Sequence, residues 1–87
     1  MARVYIPAGW RDLTGEVAQL ELEGASLGQI AQALVARFPG IEERLIEDGG
    51  IAAGLAVSID GAIVSRGMRS AVKPDSEIHF LPAIGGG

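Results

Sequence analysis

The chain has no cysteine and a single histidine. Without thiols it can build neither a disulfide framework nor a thiolate zinc site, and it offers no cysteine nucleophile. His79 alone cannot make a histidine-based metal site, and no nucleophile or second carboxylate falls beside it to make it a general base. Positive charge is scarce as well: seven Lys and Arg stand against eleven Asp and Glu, a formal charge of −4. The basic residues are dispersed, with only Arg66 and Arg69 close together, so the clustered cationic face of a nucleic-acid-binding protein is missing. No apolar run nears the roughly 20 residues that span a bilayer. Met1 to Ile6 is too short for the basic and apolar regions of a secretory signal. A cytoplasmic, acidic, single domain without membrane or nucleic-acid partners is expected. At 87 residues it buries about 60–65% of its unfolded surface.

Within those limits the pattern alternates between periods. Ala2 to Ile6 is rich in Val, Tyr and Ile and stops at Pro7, which predicts a first strand with Val4 and Ile6 on one face and Arg3 and Tyr5 on the other. Pro7 to Gly15 reads as a loop whose Trp10 folds over the core. Glu16 to Glu23 alternates, predicting a second, antiparallel strand with Ala18, Leu20 and Leu22 inward. Ser26 followed by Gln29 forms a capping-box pattern, and Leu27, Ile30, Ala31, Leu34, Val35 and Phe38 recur at helical spacing. A helix is predicted over Leu27 to Phe38, ended by Pro39-Gly40. Ile41 to Ile46 adds a short helical turn, and Glu47-Asp48-Gly49-Gly50 an acidic break. Its carboxylates lack the spacing of a calcium loop and read as a solvated face.

Leu55 to Ile59 runs into Asp60-Gly61, the signature of a type I′ hairpin, with Ala62 to Val64 as the return strand. Glu77 to Leu81 is the last strand. Ile78 and Phe80 share its inner face, so Leu81 points outward beside the small outward residues Ala56 and Ser58. An exposed, apolar patch of little bulk is thus expected where the chain runs into Pro82-Ala83-Ile84-Gly85-Gly86-Gly87, the kind of patch that marks a partner surface. The first and last strands are the natural parallel central pair, with one helix packed across one face, an α+β two-layer fold.

Taken together, Ile6-Pro7 with Arg11-Asp12-Leu13-Thr14-Gly15, Glu23-Gly24-Ala25-Ser26-Leu27, Arg37-Phe38-Pro39-Gly40-Ile41-Glu42-Glu43-Arg44-Leu45, Val57-Ser58-Ile59-Asp60-Gly61 and the Leu81 to Gly87 ending resemble the ubiquitin-like sulfur carriers of the MoaD/ThiS family over nearly the whole chain. Two features depart from that pattern: three terminal glycines where two are usual, and Pro74 and Ser76 in the turn before the last strand. The resemblance implies a β-grasp fold, a mixed sheet of four to five strands with one main helix over residues 1–84, and a flexible glycine tail at 85–87. It implies a carrier rather than an enzyme. An adenylating enzyme of the ubiquitin-activating kind uses ATP to activate the Gly87 carboxylate, and no cofactor is bound by the carrier itself. A persulfide protein then displaces AMP to leave a thiocarboxylate, and an acceptor synthase takes the sulfur. In this scheme Gly87 reacts, Gly85 and Gly86 provide reach, and Leu81, Pro82, Ala83 and Ile84 dock on the partner. The opening segment most resembles the carriers of cysteine biosynthesis, then the small subunit of molybdopterin synthase, and third the carriers of thiamine thiazole supply, which the length and the Phe38-Pro39-Gly40 segment fit less well. A ubiquitin-like modifier joined to lysines through Gly87, or an interaction subunit with an inert tail, are the other readings.

Overall fold

The computed structural model describes residues 1–82. Strand β1 spans Ala2–Tyr5 and β2 spans Gln19–Leu22, with a 3-10 helix over Ala8–Leu13 between them. Helix α1 covers Leu27–Arg37; a 3-10 turn at Pro39–Ile41 leads into the short α2, Glu42–Leu45. Then come β3 (Ile46–Glu47), β4 (Gly50–Ile51), β5 (Leu55–Ile59), β6 (Ala62–Ile63) and, after a 3-10 turn at Gly67–Arg69, β7 (Glu77–Pro82). Five strands form one sheet in the order β2-β1-β7-β5-β6, and β3 and β4 pair separately. β1 and β7 are parallel, as expected of a central pair drawn from opposite ends of the chain, and the other neighbours are antiparallel. This is the mixed five-stranded sheet with one main helix that the sequence predicts: a ubiquitin-like β-grasp.

Alternation along the strands decides which side chains meet the helix. Val4, Val57, Ile78 and Phe80 come from the sheet and Leu27, Ile30 and Leu34 from α1, all buried in one cluster with Ile41, Leu45 and Trp10. Fully burying an aliphatic side chain contributes about 1.5–3 kcal/mol, so these few residues carry much of the stability of so small a core. Trp10 stacks on Phe80 with ring centroids 5.5 Å apart and is a core residue. Half of the capping box forms, with the Gln29 N–H donating to Ser26 Oγ at 3.2 Å, while Gln29 Oε1 accepts at 2.7 Å from the N–H of Ala25, one residue before the N-cap, instead of from Ser26. Gly24 lets this entry pack tightly, since a Cβ there would lie 3.1 Å from the Ile30 backbone nitrogen.

Several local expectations are corrected. β2 begins at Gln19 rather than Glu16, because Gly15 and Glu16 both adopt positive φ (64° and 71°), which no extended strand tolerates. Ala18 is consequently exposed, and only Leu20 and Leu22 of that stretch turn towards the core. The Pro7 to Gly15 segment is a 3-10 helix rather than an open loop, which is how Trp10 reaches the core. Helix α1 ends at Arg37 with Phe38 as its cap. The acidic break at Glu47 to Gly50 is a two-residue hairpin turn: Asp48 and Gly49 take φ of 52° and 79°, and Ile46 pairs with Ile51.

Asp60 and Gly61 have the left-handed φ values, 53° and 86°, of the type I′ turn that their sequence predicts. The turn also fastens itself to β7. Asp60 Oδ1 accepts from the Glu77 N–H and Oδ2 from the Ser76 hydroxyl, each at 2.9 Å, while the Asp60 N–H donates to the Glu77 carbonyl. The Glu77 N–H first, then the Ser76 hydroxyl and the charge of Lys73, hold the Asp60 carboxyl below its ordinary pKa. A carboxyl lowered on folding adds stability above its unfolded pKa, and that stability is lost as the pH falls through the folded value. The melting temperature should therefore drop on acidification below about pH 4. In Asp60→Asn, melting curves across that range should show a lower neutral value and a shallower acid slope; an unchanged slope would remove Asp60 from the acid response.

Candidate functional site

The helix covers one face of the sheet, and the other face is open. Strand register sorts the residues of this open face into rows. At one end Glu21, Arg3 and Glu77 lie side by side across β2, β1 and β7. Arg3 is pushed above its ordinary pKa, first by its hydrogen bond with the Tyr5 phenol and also by the charges of Glu77 and Glu21. The next row is Gln19, Tyr5, His79, Ser58 and Ile63, crossing all five strands. Tyr5 and His79 stack nearly parallel, centroids 4.3 Å apart at 4°. Nearest the C-terminal end of β7, Leu81 pairs with Ala56. The face thus passes from charged to aromatic to aliphatic in the direction in which β7 leads.

Leu81 is 47% exposed, so the outward orientation predicted from the alternation of β7 holds. Ala56 is half-buried beside it. Ser58 shares this face but is only 8% exposed, since it stands between the bulkier His79 and Ile63; it therefore contributes less free surface than its position implies. Pro82 pairs with Leu55 on the inner side of the strand and borders a groove of about 380 Å³ that also takes in Trp10, Arg44, Ala52 and Gly54. The positions Ala83, Ile84, Gly85, Gly86 and Gly87 lie outside the described residues, as does the boundary expected between 84 and 85.

Two members of this surface were not singled out from sequence. Ile63 is 61% exposed, and its placement follows from the I′ turn: a two-residue turn at Asp60-Gly61 pairs Ile59 with Ala62 and Ser58 with Ile63, setting Ile63 outward. The Tyr5–His79 stack depends on the parallel pairing of β1 with β7, whose register no local signal encodes. Larger hollows lie elsewhere. One of about 600 Å³ is bordered by Met1, Glu23, Val72 and Pro74, near the end of β7 opposite to Pro82. Among the described residues no group of three or more His, Cys, Asp or Glu side chains could hold a metal ion, and no helix is long and apolar enough to cross a membrane.

The central strand β7 ends beside an apolar, partly aromatic surface. Comparisons with known proteins agree with that picture. A model of the ThiS family matches residues 4–87. A chain in the crystal structure of the Amycolatopsis orientalis BexX/CysO complex is 29% identical, superposes with a TM-score of 0.94, and is covered in full, as is the present chain. CysO of Mycobacterium tuberculosis, described as an antigen, is 26% identical with a TM-score of 0.88 over 97% of this chain and 100% of its own. The small archaeal modifier protein 1 of Methanosarcina acetivorans shares the fold at 22% identity, with a TM-score of 0.86 over 99% of this chain and 95% of its own. No curated protein matches by sequence.

Proposed function

The chain belongs to the ThiS family, and from that membership we propose that it is a sulfur carrier whose Gly87 carboxyl is activated as an acyl adenylate and converted to a thiocarboxylate. The observation that carries this reading is the extent of the family match, which runs through Gly87 and so includes the glycines that the chemistry needs. A free carboxylate is a poor electrophile until a good leaving group is attached. ATP supplies that group on a partner activating enzyme, and a persulfide sulfur then displaces AMP. Three residues without Cβ atoms make the slimmest peptide that can enter a narrow nucleotide site, although glycine costs more backbone entropy to order there than any other residue.

Leu81, with Pro82, Ala83 and Ile84, gives the activating enzyme its grip, and the Tyr5–His79 row extends the contact across the open face. A few such apolar anchors carry most of the binding energy of an interface, while the remaining contacts exclude water. In the Amycolatopsis structure a CysO is held in a complex with BexX, which supports a protein partner for this chain. Cysteine biosynthesis is the destination we favour for the sulfur, on the Ile6-Pro7 and Leu13-Thr14-Gly15 opening that resembles that branch. The adenylation step is tested by ATP–pyrophosphate exchange on a family activating enzyme. Exchange that rises and saturates with added chain is expected; exchange indifferent to the chain would contradict the proposal.

A further inference from the structure

The sheet order leaves β2 and β6 at the edges. β6 is two residues long, whereas β2 runs over four and pairs with β1 residue for residue, with no proline, lysine or bulge of the kind that ordinarily blunts an edge. Hydrogen bonds fix which of its backbone groups point outward. The Arg3 N–H donates to the Ser76 carbonyl, beside β7, and the Ile6 N–H donates to the Ala18 carbonyl. Parity therefore turns Val4 and Ala2 towards Leu20 and Leu22, and aims the N–H and C=O of Gln19 and Glu21 off the sheet. At the outer positions of the same parity the chain closes on itself. The Val17 N–H donates to the Thr14 carbonyl and the Val17 carbonyl accepts from the Thr14 hydroxyl. The Ala25 N–H donates to Gln29 Oε1 and the Ala25 carbonyl accepts from the Val72 N–H. Between them Gln19, Glu21 and Glu23 have no backbone partner among the described residues. Two hollows follow this run: one of about 310 Å³ bordered by Arg3, Gln19, Leu20 and Glu21, and the one of about 600 Å³ that takes in Met1 and Glu23.

Side chains grade the two faces that any strand added here would share. Gln19, Glu21 and Glu23 are exposed, whereas Leu20 and Leu22 turn to the helix side. We propose that this edge takes an extended segment of a partner protein as an additional strand, antiparallel to β2, with Lys or Arg facing Glu21 and Glu23, aliphatic residues facing Leu20 and Leu22, and a small polar residue facing Gln19. Main-chain hydrogen bonds give such a pairing its affinity, and the alternate side chains give its specificity. Directly opposed residues of opposite charge stabilise an antiparallel pair, and like charges destabilise it. A second copy is the wrong occupant on that rule, since antiparallel pairing centred on this run sets Glu21 against Glu21. The formal charge of −4 favours the same cationic segment. Arg3 lies one strand further in, between Glu21 and Glu77, so the edge itself presents the carboxylate. β1 separates the edge from Leu81 on β7, so the segment adds to the partner gripped there and does not displace it. The pairing is independent of any chemistry at Gly87.

The probe is the blocked peptide Lys-Ile-Lys-Val-Thr, which in antiparallel register runs from Glu23 to Gln19. It is titrated into the isotope-labelled full chain and followed by amide NMR. Saturable downfield shifts are expected at the amides of Gln19, Glu21 and Glu23, which gain acceptors, with Leu20 and Leu22 moving less because β1 already holds them. Methylating both lysine backbone nitrogens should weaken binding about tenfold or more, since donors to β2 are lost while the side chains stay. Replacing both lysines by glutamate should weaken it about tenfold. In a chain carrying Glu21→Gln and Glu23→Gln, folded by circular dichroism, the lysine and glutamate peptides should bind within about threefold of each other. No saturable shift at millimolar peptide, shifts centred on other residues, or undiminished binding of the methylated peptide would each overturn the proposal. Concentration-dependent shifts of the same three amides in the chain alone would overturn it in favour of a second copy.

Discussion

Removing Gly86 and Gly87 is expected to abolish activation of the chain and to leave its melting temperature within about 1–2 °C of the intact protein. Among the described residues the hydrophobic cluster that holds the fold lies between Ala2 and Phe80, and the last paired residue is Pro82. Shortening the chain by two residues removes none of those contacts. Activation is different, because the reacting carbonyl moves back by two residues. Each extended residue supplies about 3.3–3.6 Å of reach, so the new carboxylate stops about 7 Å short of a site fitted to Gly87. A misplacement of even 1 Å at reacting atoms can cost on the order of a hundredfold in rate. ATP–pyrophosphate exchange and a thermal melt on the same preparation separate the two effects. A fall of many degrees would assign the glycines to the fold, and undiminished exchange would move the reactive end elsewhere.

Leu81→Asp should weaken partner binding far more than folding. The side chain is 47% exposed and pairs with Ala56 on the open face, so its loss opens no cavity. Aspartate is a poor strand residue, a penalty of at most about 1 kcal/mol on a sheet surface. On the partner side the change removes a central apolar anchor and buries a charge against an apolar patch. A loss of about 2–3 kcal/mol is expected for such an anchor, roughly 30- to 150-fold in Kd. Calorimetric titration with the activating enzyme, set beside chemical denaturation, gives both numbers. Equal losses would make Leu81 a structural residue.

The features that can be read from sequence are those set by local rules. Ser26 and Gln29 announce the start of α1, and Pro39-Gly40 its end, because capping and helix breaking involve only neighbouring backbone. Asp60-Gly61 fixes both a turn and a register. Strict alternation in β7 sets Ile78 and Phe80 inward and Leu81 outward. The features that escape depend on non-local pairing or on conformations without a residue signature. A two-residue strand such as β3 has no periodicity to show, so its hairpin reads as a break. Positive φ at Glu16, a residue not given to it, shortens β2 from the front. Ser58 is outward by parity yet covered, because cover depends on who stands next to it across the sheet. The site divides in the same way: Leu81 is legible from its own strand, and the Tyr5–His79 stack only from the meeting of the two chain ends.

The central claim is that the Gly87 carboxyl takes up sulfur, and intact mass spectrometry tests it most directly. The chain is incubated with ATP, an activating enzyme of the family and a persulfide donor, then weighed and fragmented. The expected result is one oxygen exchanged for sulfur, confined to Gly87 and lost in the chain lacking Gly86 and Gly87. Adducts on lysines of other proteins with no such exchange would mark a modifier instead. An unchanged mass, under conditions in which another carrier of the family gains sulfur, would contradict the account.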